Sequence, residues 1–150
     1  MAHNKQESPN SLNLLLGEEE LSRRRELAVK IANSLTSRLS WVSVVYLFGS
    51  TVRGEAKMES DIDLVVETPV NFLRRSDYDS LNEEVRVVIG KAARELGAED
   101  LAFNTTLVSR DWVTTPVGPT AFEPEFINNL RREGEVLALN PLYPWIKNWP

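Results

Sequence analysis

Residues 47–54 have the sequence LFGSTVRG, and residues 60–66 have the sequence SDIDLVV. The first segment ends an apolar, β-branched run with a glycine and a hydroxyl, while the second begins another apolar run with two carboxylates. Because both apolar runs predict buried strands, this stretch predicts two strands joined by a turn. A parallel crossover would need a whole helix between them, so the short link predicts antiparallel neighbours. We therefore expect the link to lie at one edge of the sheet.

Two carboxylates, Asp61 and Asp63, begin the second strand. Side chains at i and i+2 of a strand point to the same face, about 6.5–7 Å apart, so both carboxylates face one small volume. Two anions at this spacing repel each other unless a cation lies between them. Hard oxygen ligands favour Mg²⁺ or Mn²⁺, which bind carboxylates together with substrate phosphates. The pair therefore predicts a divalent metal site.

The turn before them carries the features of a phosphate site. Gly49 and Ser50 end the first strand in a segment that can begin a short helix, and such a turn exposes backbone N–H groups that favour phosphate. Arg53 adds a cation with forked donors, and Gly54 lets the chain turn toward the second strand. Taken singly, each motif is also compatible with an ordinary turn or strand entry. Together they predict binding of a triphosphate and its metal.

In Gly49-Ser50-x-x-Arg53-Gly54, followed by Ser60-Asp61-x-Asp63-Leu64, the chain resembles the minimal nucleotidyltransferases, the small members of the DNA polymerase β-like superfamily. By order of elements the resemblance covers roughly residues 27–139. It implies an α+β, palm-like domain with a mixed β-sheet and helices mainly on one face. It also implies that Asp61 and Asp63 are catalytic and bind the metal, while Gly49, Ser50 and Arg53 bind the nucleotide.

The reaction that the resemblance implies is transfer of a nucleoside monophosphate. A hydroxyl attacks the α-phosphorus of a nucleoside triphosphate, with ATP as the expected substrate and AMP as the transferred group, and pyrophosphate leaves. Related minimal nucleotidyltransferases pair with a small helical protein of the HEPN type in toxin–antitoxin modules. The resemblance therefore implies that the acceptor hydroxyl lies on such a partner protein.

The family pattern calls for a third carboxylate on a later strand, and this chain departs from it. The register of the predicted strand 101–108 places that position at or beside Asn104, whose neutral amide cannot act as a base. Asp100 is the nearest substitute, and on the alternation rule it shares a face with Asn104. We therefore expect weak catalysis, with Asn104 or Asp100 as the third position.

Two other functions stay open. The chain could be a nucleotide-binding or partner-binding subunit that kept the phosphate turn and lost efficient chemistry, and Asn104 is the residue that motivates this alternative. It could also modify a small hydroxyl compound such as an aminoglycoside. A chain of 150 residues leaves little room for a separate acceptor-binding domain, so the small-molecule alternative is the less favoured one.

Composition narrows the class of protein. A chain of 150 residues with 42% hydrophobic content can form one core and is too short for two ordinary domains. The net charge of −5 argues against duplex nucleic acid as the main partner, because such binding depends on Lys and Arg neutralising phosphates. The chain has no cysteine, which fits a reducing compartment, and we expect a cytoplasmic protein. The oligomeric state is left open, self-association included.

The remaining elements follow from hydrophobic periodicity. Apolar spacing predicts helices over 18–39, 76–96 and 125–132 and strands over 42–48, 61–67, 101–108 and 135–139. We divide the chain into a flexible N-terminal leader (1–17), a nucleotidyltransferase domain (18–140) and an aromatic C-terminal tail (141–150). The apolar run 12–16 is too short to span a membrane. The arginine cluster 23–25 is expected on a solvated helix face, and the proline-containing stretch 114–124 is expected to be a connecting loop that could cover the site.

Overall fold

The computed structural model describes residues 14–70, 72–114 and 124–143. Its elements in chain order are α1 (Glu18–Arg38), β1 (Val44–Phe48), α2 (Ser50–Arg53), β2 (Ile62–Thr68), a 3₁₀ turn (Arg75–Asp77), α3 (Tyr78–Glu95), β3 (Phe103–Ser109), α4 (Arg110–Thr114), α5 (Pro124–Glu133) and β4 (Glu135–Leu139). The predicted α+β class is confirmed. The predicted helices and strands are all present, and their ends differ from the predicted ends by at most two residues.

The four strands form one mixed sheet in the order β3-β2-β1-β4. β1 pairs antiparallel with both β2 and β4, as predicted for the first two strands, whereas β2 pairs parallel with β3. The parallel pair requires a crossover, which α3 provides. The strands that carry the two sequence motifs are thus the central ones. The motifs lie where β1 ends and β2 begins, and neither motif lies on an outer strand of the sheet.

The two faces of the sheet have different coverings. On one face, β1 and β2 contribute Val45, Leu47, Leu64 and Val66 to a core shared with α1 and α3. On the other face, alternate residues Val44, Tyr46, Val65 and Val108 pack with Val113 of α4 and with Ile127 and Leu130 of α5. The long helices therefore lie on one face, as predicted, and the short α4 and α5 add a smaller core on the other. By alternation, Asp63 belongs to this second face.

Helix α1 shows why the sheet is covered as it is. Glu18, Glu19 and Glu20 occupy its first turn, where carboxylates favour the positive end of the helix dipole. Its buried positions include Arg24, Ala28, Ile31 and Leu35, which follow the 3.6-residue period. An arginine therefore lies on the stripe that faces the core.

Parts of the predicted ends and loop lie outside the described residues. This applies to residues 1–13 of the predicted leader, to residues 115–123 of the predicted loop and to residues 144–150 of the predicted tail. Within the described part, Leu15 forms an antiparallel bridge with Lys57, and the Tyr143 hydroxyl donates a hydrogen bond to the carbonyl of Ser40. No helix in the described ranges combines the length and the apolar character that crossing a membrane requires.

Candidate functional site

The end of β1 and the start of β2 meet at Gly49 and Asp63. Gly49 has φ 80° and ψ −152°, a backbone conformation that residues with a side chain rarely adopt. A Cβ atom built on Gly49 would lie 3.2 Å from Cγ of Asp63 and closer still to Oδ2. Position 49 therefore excludes a side chain twice, by its dihedral angles and by the space that the Asp63 carboxylate occupies.

The turn that follows is the single-turn helix α2. The Arg53 N–H donates to the Gly49 carbonyl at 3.3 Å, and the Glu55 N–H donates to the Ser50 carbonyl at 2.8 Å. Gly54 ends the helix in the left-handed conformation, with φ 71°. The N–H groups ahead of Arg53 have no acceptor within the helix, as at any helix start. The turn thus presents backbone donors and the Ser50 hydroxyl at the end of β1, beside Asp63.

Asp61 lies just before β2, and Asp63 is the second residue of that strand. Asp61 is exposed and Asp63 is half-buried. Burial raises the pKa of Asp63 above its ordinary value; the hydrogen bond from Asn104 opposes this rise, the charge of Asp61 adds to it and that of Arg53 opposes it. Within the described part of the chain neither Asp61 nor Asp63 forms an ion pair. A cation placed between the two carboxylates would stabilise their charged forms.

Of the two candidates for the third position, the structure places Asn104 beside Asp63. The two residues are partners in the β2–β3 register, and Asn104 Nδ2 donates a 3.3 Å hydrogen bond to Oδ1 of Asp63. Asp100 precedes β3, and its Oδ1 accepts a 3.1 Å hydrogen bond from Arg23 of α1. This hydrogen bond lowers the pKa of the Asp100 carboxyl. Asp100 is therefore engaged with a helix on the opposite face of the sheet from Asp63.

Arg53 lies close enough to influence the pKa of Asp63, but its hydrogen bonds go to two glutamates. Its Nε donates to Oε1 of Glu55 at 2.8 Å, and its Nη1 donates to Oε1 of Glu133 at 3.4 Å. The Arg53 side chain remains 43% exposed. A phosphate bound at the turn could therefore compete with Glu133 for the guanidinium without breaking a buried contact.

Arg24 corrects the expectation of a solvated arginine cluster, because its side chain is only 2% exposed. Its guanidinium donates to the carbonyls of Met58 and Ser60, at 3.0 Å each, and to that of Lys57 at 3.5 Å. These carbonyls belong to the loop that leads into Asp61. The sequence did contain a signal, since position 24 continues the buried helical stripe of α1.

Glu67 is a second residue that the motif analysis missed. It is fully buried on the same face of β2 as Asp63, four residues further along. The Tyr46 hydroxyl donates a 2.7 Å hydrogen bond to its Oε1, and Nη1 of Arg110 lies 3.6 Å from its Oε2. Burial raises the pKa of Glu67 to about 7, and both of these partners oppose the rise. The alternation of carboxylates at 61, 63 and 67 was the available signal.

The oxygen donors of the site fit a hard divalent cation. No group of three or more His, Cys, Asp or Glu side chains in the described ranges is placed to hold a metal ion. The chain therefore offers the Asp61 and Asp63 carboxylates, with the Asn104 amide oxygen as a neutral donor. Mg²⁺ is commonly bound through one or two carboxylates, with substrate phosphates and water completing its coordination. The residues fit a metal that arrives with a nucleotide.

The chain is similar to known proteins in its sequence and in its fold. Residues 28–110, more than half of the chain, match the family model described as the nucleotidyltransferase domain. A protein from Sulfolobus solfataricus with a provisional nucleotidyltransferase assignment has a crystal structure similar to this chain, with a TM-score of 0.44 and 20% sequence identity over 63% of this chain and 74% of that one. No curated protein sequence matches the chain.

Proposed function

This chain belongs to the nucleotidyltransferase domain family, and from that premise we propose that it transfers AMP from ATP to a hydroxyl in a reaction that depends on Mg²⁺ or Mn²⁺. The observation that carries the proposal is the contact between Gly49 and Asp63. It brings the start of the phosphate turn against a half-buried carboxylate that has a second carboxylate beside it. A turn that offers N–H donors and a carboxylate pair that attracts a cation are the two requirements of a metal–triphosphate site.

Each residue of the site has a proposed role. Asp61 and Asp63 hold the metal, which when bound neutralises charge on the phosphates during transfer. Ser50 and the backbone after Gly49 hold the outer phosphates. Arg53 exchanges its hydrogen bond to Glu133 for one to a phosphate oxygen, since a guanidinium binds phosphate with paired donors. The chain thus positions the triphosphate and leaves its α-phosphorus open to the acceptor.

The transfer step needs one bond formed and one broken. The acceptor oxygen bonds to the α-phosphorus, while the bond from that phosphorus to the bridging oxygen breaks and pyrophosphate leaves with the electron pair. The hydroxyl proton must also be removed. Asn104, beside Asp63, cannot accept a proton, so we propose that water receives it and that transfer is slow.

The proposed acceptor is a hydroxyl on a small helical partner protein of the HEPN type, within a toxin–antitoxin module. The resemblance of the motifs to the minimal nucleotidyltransferases supports this choice. We place the reaction in the cytoplasm, in agreement with a sequence that contains no cysteine.

Calorimetry with Mg²⁺·ATP tests the site. We expect Asp63→Asn to weaken binding at least tenfold, because the variant loses one of two anionic metal ligands while keeping the shape of the side chain. Asp79→Asn, which changes an exposed carboxylate on α3, is the matched control and should bind as the parent does. Equal affinity in Asp63→Asn and the parent would place the nucleotide elsewhere and sink the proposal.

A second candidate function is nucleotide binding without transfer, and the position of Asn104 favours it. The chain would then act as a nucleotide-responsive subunit of its partner. Incubation with labelled ATP, Mg²⁺ and the candidate partner separates the two functions. Label that appears covalently on the partner supports transfer, whereas tight Mg²⁺·ATP binding with no labelled acceptor supports the binding subunit.

A further inference from the structure

A buried arginine holds the loop from which Asp61 emerges. The loop carbonyls of Lys57, Met58 and Ser60 all accept hydrogen bonds from the guanidinium of Arg24, and its Nε also donates to Glu20 at 3.2 Å. A guanidinium has five N–H donors in a fixed plane, so one side chain can satisfy several carbonyls that point toward it. Among the described residues, Arg24 is the only residue of α1 whose side chain forms hydrogen bonds with this loop.

Apart from the bonds to Arg24, the loop is held at its first residue by the antiparallel bridge between Lys57 and Leu15. The Ser60 N–H donates to the Lys57 carbonyl at 3.0 Å, and the Ser60 hydroxyl accepts from the Lys57 N–H at 2.9 Å. These two bonds close the loop on itself without fixing it to the rest of the domain. β2 begins only at Ile62, so Asp61 lies outside the strand and is exposed. Its position beside Asp63 therefore depends on where the loop is held.

We propose that Arg24 is a positioning residue of the candidate metal site: it fixes the loop 57–60 so that the Asp61 carboxylate lies beside that of Asp63. This inference rests on the proposed function, because its consequence is the affinity for Mn²⁺·ATP. Arg24 itself lies on the opposite face of the sheet from Asp63 and does not contact the reacting groups. Its burial on the core stripe of α1 makes the helix the fixed reference for the loop.

The test compares Arg24→Met and Arg24→Lys with the parent. Met keeps the apolar length and removes every donor, whereas Lys keeps the charge and reaches fewer carbonyls. Arg25→Met is the matched control, because Arg25 is the next residue on the same helix and pairs with Glu135 at the surface. Calorimetry with Mn²⁺·ATP gives the affinity, and hydrogen exchange at the Ser60 amide reports the loop while the Val65 amide reports the central strand.

We expect Arg24→Met to weaken Mn²⁺·ATP binding at least tenfold and to speed exchange at Ser60 at least tenfold more than at Val65. Arg24→Lys should lie between Arg24→Met and the parent, and Arg25→Met should match the parent. Faster exchange at Ser60 with unchanged affinity in both Arg24 variants would overturn the inference, because the loop would then not set the site.

Equal acceleration of exchange at Ser60 and Val65 in both Arg24 variants would also overturn it, since Arg24 would then act through global stability. The proposed function has a separate readout in the same experiment. A parent chain that binds no Mn²⁺·ATP overturns that function together with this inference. If the parent binds Mn²⁺·ATP and both Arg24→Met and Arg24→Lys bind it with the affinity of the parent, only the role of Arg24 is overturned.

Discussion

Strand β2 carries a carboxylate near each end, Asp63 and Glu67, on the same face of the sheet. The two carboxylates differ in their burial and in the protein groups around them. At the start of the strand, Asp63 is half-buried and the neighbouring Asp61 is exposed, and neither forms an ion pair in the described part of the chain, although the charge of Arg53 opposes the rise in the pKa of Asp63. At its far end, Glu67 is fully buried, with Tyr46 bonded to one carboxyl oxygen and Arg110 near the other. In the described part of the chain, the Asp63 end therefore has no ion-paired cation, whereas the Glu67 end has a hydrogen-bond donor and a nearby cation within the protein.

This difference separates a candidate site from a structural group. Burying a carboxylate is costly unless protein partners stabilise it, and at Glu67 those partners are present. At Asp63 the side-chain hydrogen-bond partner is the neutral amide of Asn104, and the carboxylate occupies the space that a side chain at position 49 would need. A carboxylate that the fold half-buries without an ion pair is suited to a cation supplied from outside.

The largest expected effect comes from adding a third carboxylate at the Asp63 end of β2. Asn104→Asp would place a third carboxylate beside Asp63, and a positioned base typically contributes about 10² to 10⁴ in rate. We expect transfer of label from ATP to the partner to become at least tenfold faster. Time courses of labelled protein with Mg²⁺ measure it, and Asp100→Asn serves as the control that should not change the rate.

The opposite pattern would reverse the assignment of the third position. If the parent already transfers rapidly and Asp100→Asn abolishes transfer, Asp100 supplies the missing carboxylate despite its hydrogen bond to Arg23. An Asn104→Asp variant that is no faster than the parent would show that a base at this position does not limit the reaction.

The next effect concerns the stability that Glu67, at the far end of β2, contributes to the fold. The folded state raises the pKa of Glu67 from 4.5 to about 7, so the unfolded chain loses its proton first as pH rises. Stability from this group is therefore fully present below about pH 4.5 and falls as pH rises to about 7, by about 3 kcal/mol in total. Glu67→Gln should lack this fall. Denaturant unfolding of both proteins at pH 4.5 and pH 8 measures the difference.

Two further measurements make the Glu67 test specific. Glu84→Gln changes an exposed carboxylate of α3 and should keep the pH dependence of the parent. Glu67→Gln should bind Mg²⁺·ATP as the parent does, because Glu67 lies away from the Asp63 end of the strand. Identical pH dependence in Glu67→Gln and the parent would mean that Glu67 titrates normally in the folded protein.

The smallest effect tests the close approach of Gly49 to the Asp63 carboxylate. Gly49→Ala adds a Cβ against the Asp63 carboxylate at a φ of 80°, and strain of this kind costs about 1–3 kcal/mol. We expect the free energy of unfolding to fall by that amount and Mg²⁺·ATP binding to weaken. Gly90→Ala is the matched control, since a Cβ there has no neighbour within 4 Å and a helix interior favours alanine. Unchanged stability in Gly49→Ala would show that the turn adjusts freely.

Most of the fold follows from local sequence signals. The antiparallel link between β1 and β2, the start of α2 after Gly49 and the end of α3 before Gly97 all depend on residues close together in the chain, and the structure agrees with each. The family pattern put the third position at or beside Asn104, and the structure pairs Asn104 with Asp63 in the β2–β3 register. Periodicity and turn residues were sufficient for the β1–β2 link, the start of α2 and the end of α3, because the causes of these three features are local.

The features that sequence analysis missed depend on contacts between distant segments. Arg24 looked like one of three solvated arginines, and only the loop 57–60 packed against α1 gives its guanidinium acceptors. Asp100 seemed to share a face with Asn104, but β3 begins after it, so the alternation of a strand does not apply there. Glu67 lies within an apolar run of the sequence. Its partners, Tyr46 and Arg110, come from β1 and α4.

The parallel pairing of β2 with β3 also sets the chain entropy of the site. Gly49 meets Asp63 by closing a loop of about 14 residues, whereas Asn104 meets Asp63 across a sequence separation of 41. Loop-closure entropy grows with the logarithm of length, so the second contact costs about 1 kcal/mol more than the first. Asp63 and Gly49 are therefore brought together by a short segment of chain. Asn104 reaches Asp63 only when the whole α3 crossover is in place.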